Sequence, residues 1–374
     1  MDDPIIGAVI AVAGLSSRMG DFKPLLRVGD MPLLERGILT LRKAGVEAIF
    51  AVTGHRAEEL RPLLARHGVS EVHNPRYGET DMLHSVCMGF REALPSCGGL
   101  LFLPGDVALF SGFSVRQIVA AGRNADLVLP ACGGKQGHPV WLGTACVRHV
   151  LARTWERGLR EALTDFAQGG GATKLELPDP GLLLDADTEA DYRALLKYDA
   201  EREIPSRQQC LAMLHWAATP GKTVDHCLAV ADTAVALAHA LVKAGLALNP
   251  GLVQAGALLH DIAKGKKRHE EAGAALLREM GFEGVASIVA AHTDLPAASQ
   301  RAIDEGTVVY YADKITLGTS QVSIEDRFAQ PLIRWQQDEG AVAAILQRRE
   351  IACAVERRIE ALIGTRNPGY PSSS

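Results

Sequence analysis

Aromatic residues are scarce: Phe, Trp and Tyr make up only 5% of the 374 residues. Hydrophobic residues still reach 47%, so the core must be built from Ala, Leu and Val. None of the seven cysteines (Cys87, Cys97, Cys132, Cys146, Cys210, Cys227 and Cys353) belongs to a C-x-x-C pair. Their odd count and wide spacing argue against a disulfide framework or a structural zinc site and predict reduced, mostly buried thiols in a cytoplasm. A basic excess is missing too. The formal net charge is -5, which argues against nucleic acid as the main partner. The apolar run Ile5–Leu15 is too short to span a bilayer. No basic region precedes it, so it does not read as a signal peptide. Neither the Walker spacing nor a G-x-G-x-x-G fingerprint occurs, which disfavours classical P-loop and dinucleotide-binding readings. The expectation is a cytoplasmic chain with no nucleic-acid or membrane partner. At roughly 100–200 residues per domain, its length predicts two domains.

The chain changes texture in the middle. Up to about residue 200, short apolar runs alternate with amphipathic stretches. Ile5–Val12, Ala48–Val52, Leu100–Leu103 and Leu127–Leu129 read as strands, and Leu33–Ala44, Ala57–Arg66 and Ser114–Gly122 as helices. That alternation predicts parallel β-α-β units in a layered α/β sheet, with ligands at the carboxyl ends of the strands. Beyond residue 200 the β signal fades. Gln208–Ala217, Val224–Ala244, Leu252–Ala263, Glu270–Met280 and Gly284–Ala291 read as helices. The predicted organisation is an α/β domain over 1–200, a linker over 201–207, an all-α domain over 208–366 and a frayed tail over 367–374.

The first chemical site follows the first strand. In Ala11-Val-Ala-Gly-Leu-Ser-Ser-Arg-Met-Gly20, Gly14 and Gly20 permit tight backbone geometry, Ser16 and Ser17 offer hydroxyls, and Arg18 and Lys23 supply cations. Backbone N–H groups in such a loop make an anion nest, although Gly/Ser loops also serve as plain connectors. The segment Ala-Gly-x-Ser-x-Arg-Met-Gly-x-x-Lys resembles the signature of MobA-like nucleotidyltransferases, especially the MocA-type molybdenum cofactor cytidylyltransferases. Three further segments resemble that family in order: Leu101-Phe-Leu-Pro-Gly-Asp106, Gly137-His-Pro-Val140 and Asp185-Ala-Asp-Thr-Glu-Ala-Asp-Tyr192.

The resemblance implies a Rossmann-like layered domain that transfers a nucleotidyl group and expels pyrophosphate. It assigns Asp106 and Asp187 to Mg²⁺, with Asp185 as a substitute. Mg²⁺ is commonly held by one or two carboxylates plus substrate phosphates. Arg18 and Lys23 would hold the β- and γ-phosphates. Ala13, Gly14, Ser16, Ser17, Gly20, Gly137 and His138 would bind the nucleotide. Read without the resemblance, Asp106, Asp185 and Asp187 are equally caps of turns or helices. The chain also departs from the family pattern. Asp81 stands where a glycine is usual and His84 where a small hydroxyl residue is common, and Asp106 lacks the usual following proline.

The second chemical site lies in the helical half, where His226, His260-Asp261, His269, His292 and Asp313 occur. Mixed His and carboxylate ligands point to Mn²⁺, Fe²⁺, Co²⁺, Ni²⁺ or Zn²⁺ more than to a thiolate site. Ala257-Leu-Leu-His-Asp-Ile-Ala-Lys264 resembles the signature of HD-domain metal-dependent phosphohydrolases. The resemblance implies a mononuclear set of His226, His260, Asp261 and Asp313. His269 and His292 would extend it to a dinuclear one bridged by Asp261. Lys264, one helical turn beyond His260, would bind phosphate.

Together the two resemblances predict a bifunctional enzyme. One half would use an NTP, CTP before GTP, Mg²⁺ and a phosphorylated acceptor such as molybdopterin, with a molybdoenzyme or its chaperone as a further partner. The other would hydrolyse a phosphoester or phosphoanhydride with one or two transition metals such as Mn²⁺ or Fe²⁺. Two alternatives are a sugar- or alcohol-phosphate acceptor, and a domain that has lost turnover and senses a ligand for the other.

Overall fold

The computed structural model describes residues 4–14, 22–296 and 302–364. The chain divides into two compact units between Arg202 and Glu203.

The first unit is built on one sheet. Its strands are β1 (Ile6–Val12), β2 (Ala48–Thr53), β3 (Ser70–His73), β4 (Gly99–Pro104), β5 (Leu127–Cys132), β6 (Lys135–Gln136), β7 (Val140–Gly143) and β8 (Ala172–Glu176). The order is β8-β5-β7-β4-β1-β2-β3, with β6 paired to β5. β1 is almost wholly buried and pairs in parallel with both β2 and β4. Its unbroken apolar sequence is what a central strand covered on both faces requires. The helices Leu33–Lys43, Ala57–Arg66 and Met82–Ala93 follow β1, β2 and β3 in turn, as β-α-β units demand.

The sheet is not all-parallel, as the alternation had predicted. β7 runs antiparallel to both β4 and β5. The reason is the connection from β5 to β7, which passes only through Gly133-Gly134, β6 and Gly137-His138-Pro139. That is too short for a crossover, so the chain must turn back on itself.

Two loops at the carboxyl ends of β1 and β4 lie side by side. The Gly105 amide donates to the Ala11 carbonyl at 2.9 Å. A Cβ at Gly105 would stand 2.2 Å from Val12 Cγ1, so only glycine permits this approach. It is the reason Asp106 can follow β4 so close to the loop after β1.

In the second unit the helices Gly221–Lys243, Pro250–Leu259, His269–Met280, Glu283–Ala291 and Glu305–Lys314 carry the predicted ligands or flank them. Ile324–Arg334 and Glu339–Ile363 complete the helices after them. A small antiparallel pair, Thr316–Leu317 with Ser320–Gln321, interrupts the all-α pattern. The helix predicted over Leu252–Ala263 ends earlier, at Leu259, and His260 is its C-cap. Gly221–Lys243 is long and apolar enough to cross a bilayer by length and composition. Here Val230, Ala234, Leu237 and Leu241 on one side of it are buried within the unit. Glu201 closes the helix Glu189–Glu201, and Ser206 caps the next, its hydroxyl accepting from the Gln209 amide at 3.2 Å. The predicted tail lies outside the described residues.

Two candidate catalytic centres

A cavity of about 710 Å³ opens at the carboxyl ends of β1 and β4. Ala13, Gly14, Lys23, Asp106, His138, Asp185 and Asp187 line it. Ser16, Ser17, Arg18 and Gly20 lie outside the described residues. Lys23 begins a short 3-10 turn with Pro24, and its ammonium reaches two carboxylates at once. It donates to Asp106 Oδ2 at 3.1 Å and to Asp187 Oδ1 at 2.5 Å. The lysine predicted to meet phosphate thus also holds together the two predicted metal ligands. Burial works against its charge, but Asp187 and Asp106 outweigh this and raise its pKa above the ordinary lysine value. Asp185 is pushed the other way from a carboxylate's habit. Burial, then the charges of Asp187 and Asp106, raise its pKa.

Neither Asp185 nor Asp187 caps the following helix. Thr188 does so, in a capping box with Asp191. Asp106 caps no helix either, since the next one starts behind Ser111. The chemistry of this donor set fits Mg²⁺: two carboxylates, far apart in sequence, converge on one cation beside open space for phosphate.

His138 lines the cavity behind a cis peptide bond to Pro139. Its Nδ1 is buried and has no hydrogen-bond partner. Burial lowers its pKa, so the ring is neutral at pH 7. Gly137 does not line the cavity. A Cβ there would stand 2.4 Å from the Leu182 carbonyl oxygen, and the next amide, His138, donates to that same oxygen at 2.9 Å. Its part is to let the backbone close in and set His138. Asp81 caps the helix Met82–Ala93 by accepting from the His84 amide at 2.8 Å.

In the second unit all six predicted ligands meet. The ring nitrogens explain how. His260 Nδ1 donates to the Ala257 carbonyl at 2.8 Å, His292 Nδ1 to Val289 at 2.6 Å, and His226 Nδ1 to Gly318 at 2.9 Å. A carbonyl oxygen can only accept, so each Nδ1 must carry the proton and each Nε2 faces inward. That is the tautomer a metal-binding histidine needs. His260 Nε2 and Asp261 Oδ1 are buried without a hydrogen-bond partner. His269 Nε2 lies only 3.1 Å from that Asp261 oxygen, at hydrogen-bond distance but not in hydrogen-bond geometry. Donor atoms of His226, His260 and Asp261 lie within 4.8 Å of one another, as do those of Asp261, His269 and His292. Asp261 belongs to both groups. Asp313 approaches His226 Nε2 at 3.1 Å and His260 Nε2 at 3.9 Å. Orphaned buried polar atoms facing a common point fit one or two metal ions.

The electrostatics of His260, Asp261 and Asp313 agree, whereas the contact with Asp313 raises the His226 pKa. Burial drives the His260 pKa down to about 4, which keeps Nε2 free of a proton. Burial would raise Asp261, but His292, His260 and Lys264 hold it well below the usual carboxylate range. Asp313 is likewise held low, chiefly by Lys314 and His226 against the cost of burial.

Lys264 does not extend a helix from His260, because the residues from His260 onward are turns. It reaches Asp261 Oδ2 at 2.8 Å while staying half exposed. Arg327 stands 3.6 Å from Asp313 and was not foreseen. It sits in no motif, and only the packing of Ile324–Arg334 brings it to the site. Lys314, adjoining Asp313, donates to Asp313 Oδ2 and to the His292 carbonyl, tying two ligand-bearing helices.

Residues 8–170 match the MobA-like NTP transferase domain, and residues 223–328 match the HD domain. The chain is 29% identical over 190 residues to the molybdenum cofactor cytidylyltransferase of Escherichia coli (strain K12), over 50% of this chain and 93% of that protein. It is 35% identical over 120 residues to an uncharacterized protein of Methanocaldococcus jannaschii, over 28% of this chain and 71% of that protein.

The chain carries a MobA-like NTP transferase domain and an HD domain.

A nucleotidyl transferase from Methanothermobacter thermautotroptrophicus aligns with a TM-score of 0.47 and 24% identity, covering 53% of this chain and 99% of that one. The first unit is a nucleotidyltransferase domain of the MobA-like kind, and the second carries an HD domain. All six predicted His and Asp ligands fall inside the HD match, whereas Asp185 and Asp187 lie beyond the end of the MobA-like match.

Proposed function

We propose that the MobA-like unit transfers a cytidylyl group from CTP to a phosphorylated acceptor of the molybdopterin kind, and that the HD unit hydrolyses a phosphoester or phosphoanhydride. The observation that carries the first half is the convergence of Asp106 and Asp187 on Lys23 at the rim of the cavity. An oxygen of the acceptor phosphate attacks the α-phosphorus. The bond to the oxygen bridging the α- and β-phosphorus breaks, and pyrophosphate leaves with the electron pair. Mg²⁺ held by Asp106 and Asp187, with Asp185 in reserve, would offset the charge on the phosphoryl oxygens. Lys23 keeps the two carboxylates in register and adds a positive charge beside the leaving group. Arg18 and the Ala13–Gly20 loop, with Ser16 and Ser17, bind the triphosphate. His138, in the wall of the same cavity, would contact the bound substrates. Such catalysis is positioning and electrostatics, with little covalent work for the protein. The preference for CTP is supported by the similarity to the molybdenum cofactor cytidylyltransferase of Escherichia coli.

In the HD unit His226, His260, Asp261 and Asp313 would hold one divalent transition metal, and Asp261, His269 and His292 a second. Bound metal lowers the pKa of water and supplies hydroxide near neutral pH. Lys264 and Arg327 bind the phosphate oxygens from two sides. The free state of all seven cysteines supports a reducing, cytoplasmic setting.

The test is pyrophosphate release from CTP and GTP with Mg²⁺ and molybdopterin. CTP should turn over in preference to GTP, and Asp106→Ala should abolish the release. Turnover retained in that variant removes Asp106 from the mechanism. Turnover with glucose 1-phosphate but not molybdopterin would replace the acceptor.

A further inference from the structure

The turn between two ligands of the HD unit is rich in cations. Between Asp261 and His269 stand Lys264, Lys266, Lys267 and Arg268, all exposed. The turn begins and ends at the same centre, because Asp261 Oδ1 and His269 Nε2 lie 3.1 Å apart. Gly265, with φ at +93°, and a bond from the Lys266 amide to the Ala263 carbonyl at 3.1 Å fold it back tightly. The Lys264 ammonium lies 2.8 Å from Asp261 Oδ2, and Arg268 is taken up by Glu271. Lys266 and Lys267 have no carboxylate partner among the described residues. Clustered charge of one sign concentrates small ligands of the other.

The ligand-bearing elements give a nucleobase no face to stack on. The helices Gly221–Lys243, Pro250–Leu259, His269–Met280, Glu283–Ala291 and Glu305–Lys314 contain two aromatic residues, Tyr310 and Tyr311. Both are buried, and their hydroxyls donate to the Arg348 carbonyl at 3.2 Å and to Glu356 Oε1 at 3.0 Å. The turn itself contains none. An aromatic face is the usual platform for a bound base. What surrounds the ligands is positive charge, from the lysines of the turn and from Arg327, 3.6 Å from Asp313.

A small, wholly ionic phosphoanhydride suits such surroundings, and pyrophosphate is the smallest. It is also what the first unit would expel. Nucleotidyl transfer to a phosphate breaks one phosphoanhydride bond and forms another, so it runs forward only while pyrophosphate is removed.

We propose that the HD unit hydrolyses inorganic pyrophosphate, gripping the departing phosphate with Lys266 and Lys267, and so consumes the leaving group of the first unit's reaction. The oxygen of one water bonds to one phosphorus. The bond from that phosphorus to the bridging oxygen breaks, and the bridging oxygen leaves with the electron pair. One proton of the water stays on the new P–OH and the other goes to the departing phosphate, which gives two orthophosphates. Lys264 and Arg327 hold the phosphate under attack. The place in the reaction sequence rests on the transferase reading above; the activity rests on the turn and the ligand cluster.

The experiment measures orthophosphate release from added pyrophosphate, without NTP, by the full chain reconstituted with Mn²⁺. Binding of methylenediphosphonate, whose P–C–P link resists hydrolysis, is followed by calorimetry beside methylphosphonate. Pyrophosphate should be hydrolysed, and methylenediphosphonate should bind at least tenfold tighter than methylphosphonate, at a site lost in His260→Ala. Lys266→Ala combined with Lys267→Ala should raise KM for pyrophosphate and weaken methylenediphosphonate binding, each at least tenfold, with bound Mn²⁺ and thermal stability unchanged. Lys266→Arg combined with Lys267→Arg should restore both values.

A chain that hydrolyses bis(4-nitrophenyl) phosphate but not pyrophosphate overturns the proposal. So does faster hydrolysis of CTP or GTP than of pyrophosphate, or unchanged KM and binding in the double alanine variant. If CTP turnover releases pyrophosphate that then accumulates, the inference fails and the transferase reading stands. If added pyrophosphate is hydrolysed but no NTP turns over, the transferase reading fails and the hydrolytic activity stands.

Discussion

Asp106 and Asp187 share one ammonium group, that of Lys23, which lies 3.1 Å from the first and 2.5 Å from the second. The carboxylates come from the end of β4 and from just before the helix Glu189–Glu201, so the lysine joins two distant parts of the chain. Replacing it leaves two like charges facing each other beside Asp185, whose pKa is already raised by both. Lys23→Ala should lower kcat for pyrophosphate release about 100-fold, the loss expected when a preorganised charge is removed from a phosphoryl-transfer site. It should also raise the Mg²⁺ concentration needed for half-maximal rate. Lys23→Arg should rescue poorly, because a planar guanidinium does not replace a compact ammonium between two carboxylates. Full activity in Lys23→Ala would show that the contact only packs the loop.

Metal stoichiometry separates the two ligand groups of the HD unit. Asp261 belongs to both, while His292 belongs to one. Elemental analysis of full chain reconstituted with Mn²⁺ or Fe²⁺ should find up to two ions per chain. His292→Ala should lose one of them and Asp261→Asn both. Equal losses in the two variants would remove the bridging role of Asp261. Chelation of the wild-type chain should abolish hydrolysis of bis(4-nitrophenyl) phosphate by the HD unit, and Mn²⁺ should restore it.

Arg327 offers a different readout. Its side chain is about a quarter exposed, and its guanidinium is 3.6 Å from Asp313. A residue that binds substrate phosphate should affect KM without affecting metal content. Arg327→Ala is therefore expected to raise KM for bis(4-nitrophenyl) phosphate about tenfold, the scale of one charge-assisted contact, with bound metal unchanged. Loss of metal in this variant would instead make Arg327 a support for Asp313.

The buried thiols give a prediction for alkaline pH. Burial raises the pKa of Cys146 and Cys210 from the ordinary 9.0 to about 12. A group with a raised folded pKa keeps its proton more tightly in the folded state. Its contribution to stability is present below pH 9 and is lost as pH rises towards 12. Chemical denaturation should therefore show stability falling across that window, less so in Cys146→Ala combined with Cys210→Ala. At pH 8 a thiol reagent should label native protein mainly at the part-exposed Cys132 and Cys353, and all seven cysteines only after unfolding. Rapid native labelling at Cys146 would contradict its burial.

Much of the molecule could be read from the chain alone, because the responsible signals are local. The apolar run of β1, the change from alternating to helical texture near residue 200 and the His260-Asp261 pair each lie within a few residues. The order of the motifs, read through the resemblance to HD domains, also grouped the histidines of one site. Tertiary structure decided the rest. The reversal of β7 depends on a connection too short to cross the sheet. The role of Gly137 depends on a carbonyl at Leu182, far along the chain. The inward-facing tautomers of His226, His260 and His292 depend on backbone carbonyls that packing supplies. Arg327 looks like an ordinary surface arginine in the sequence. A cation acquires a partner through space, and only the folded chain places this one beside Asp313.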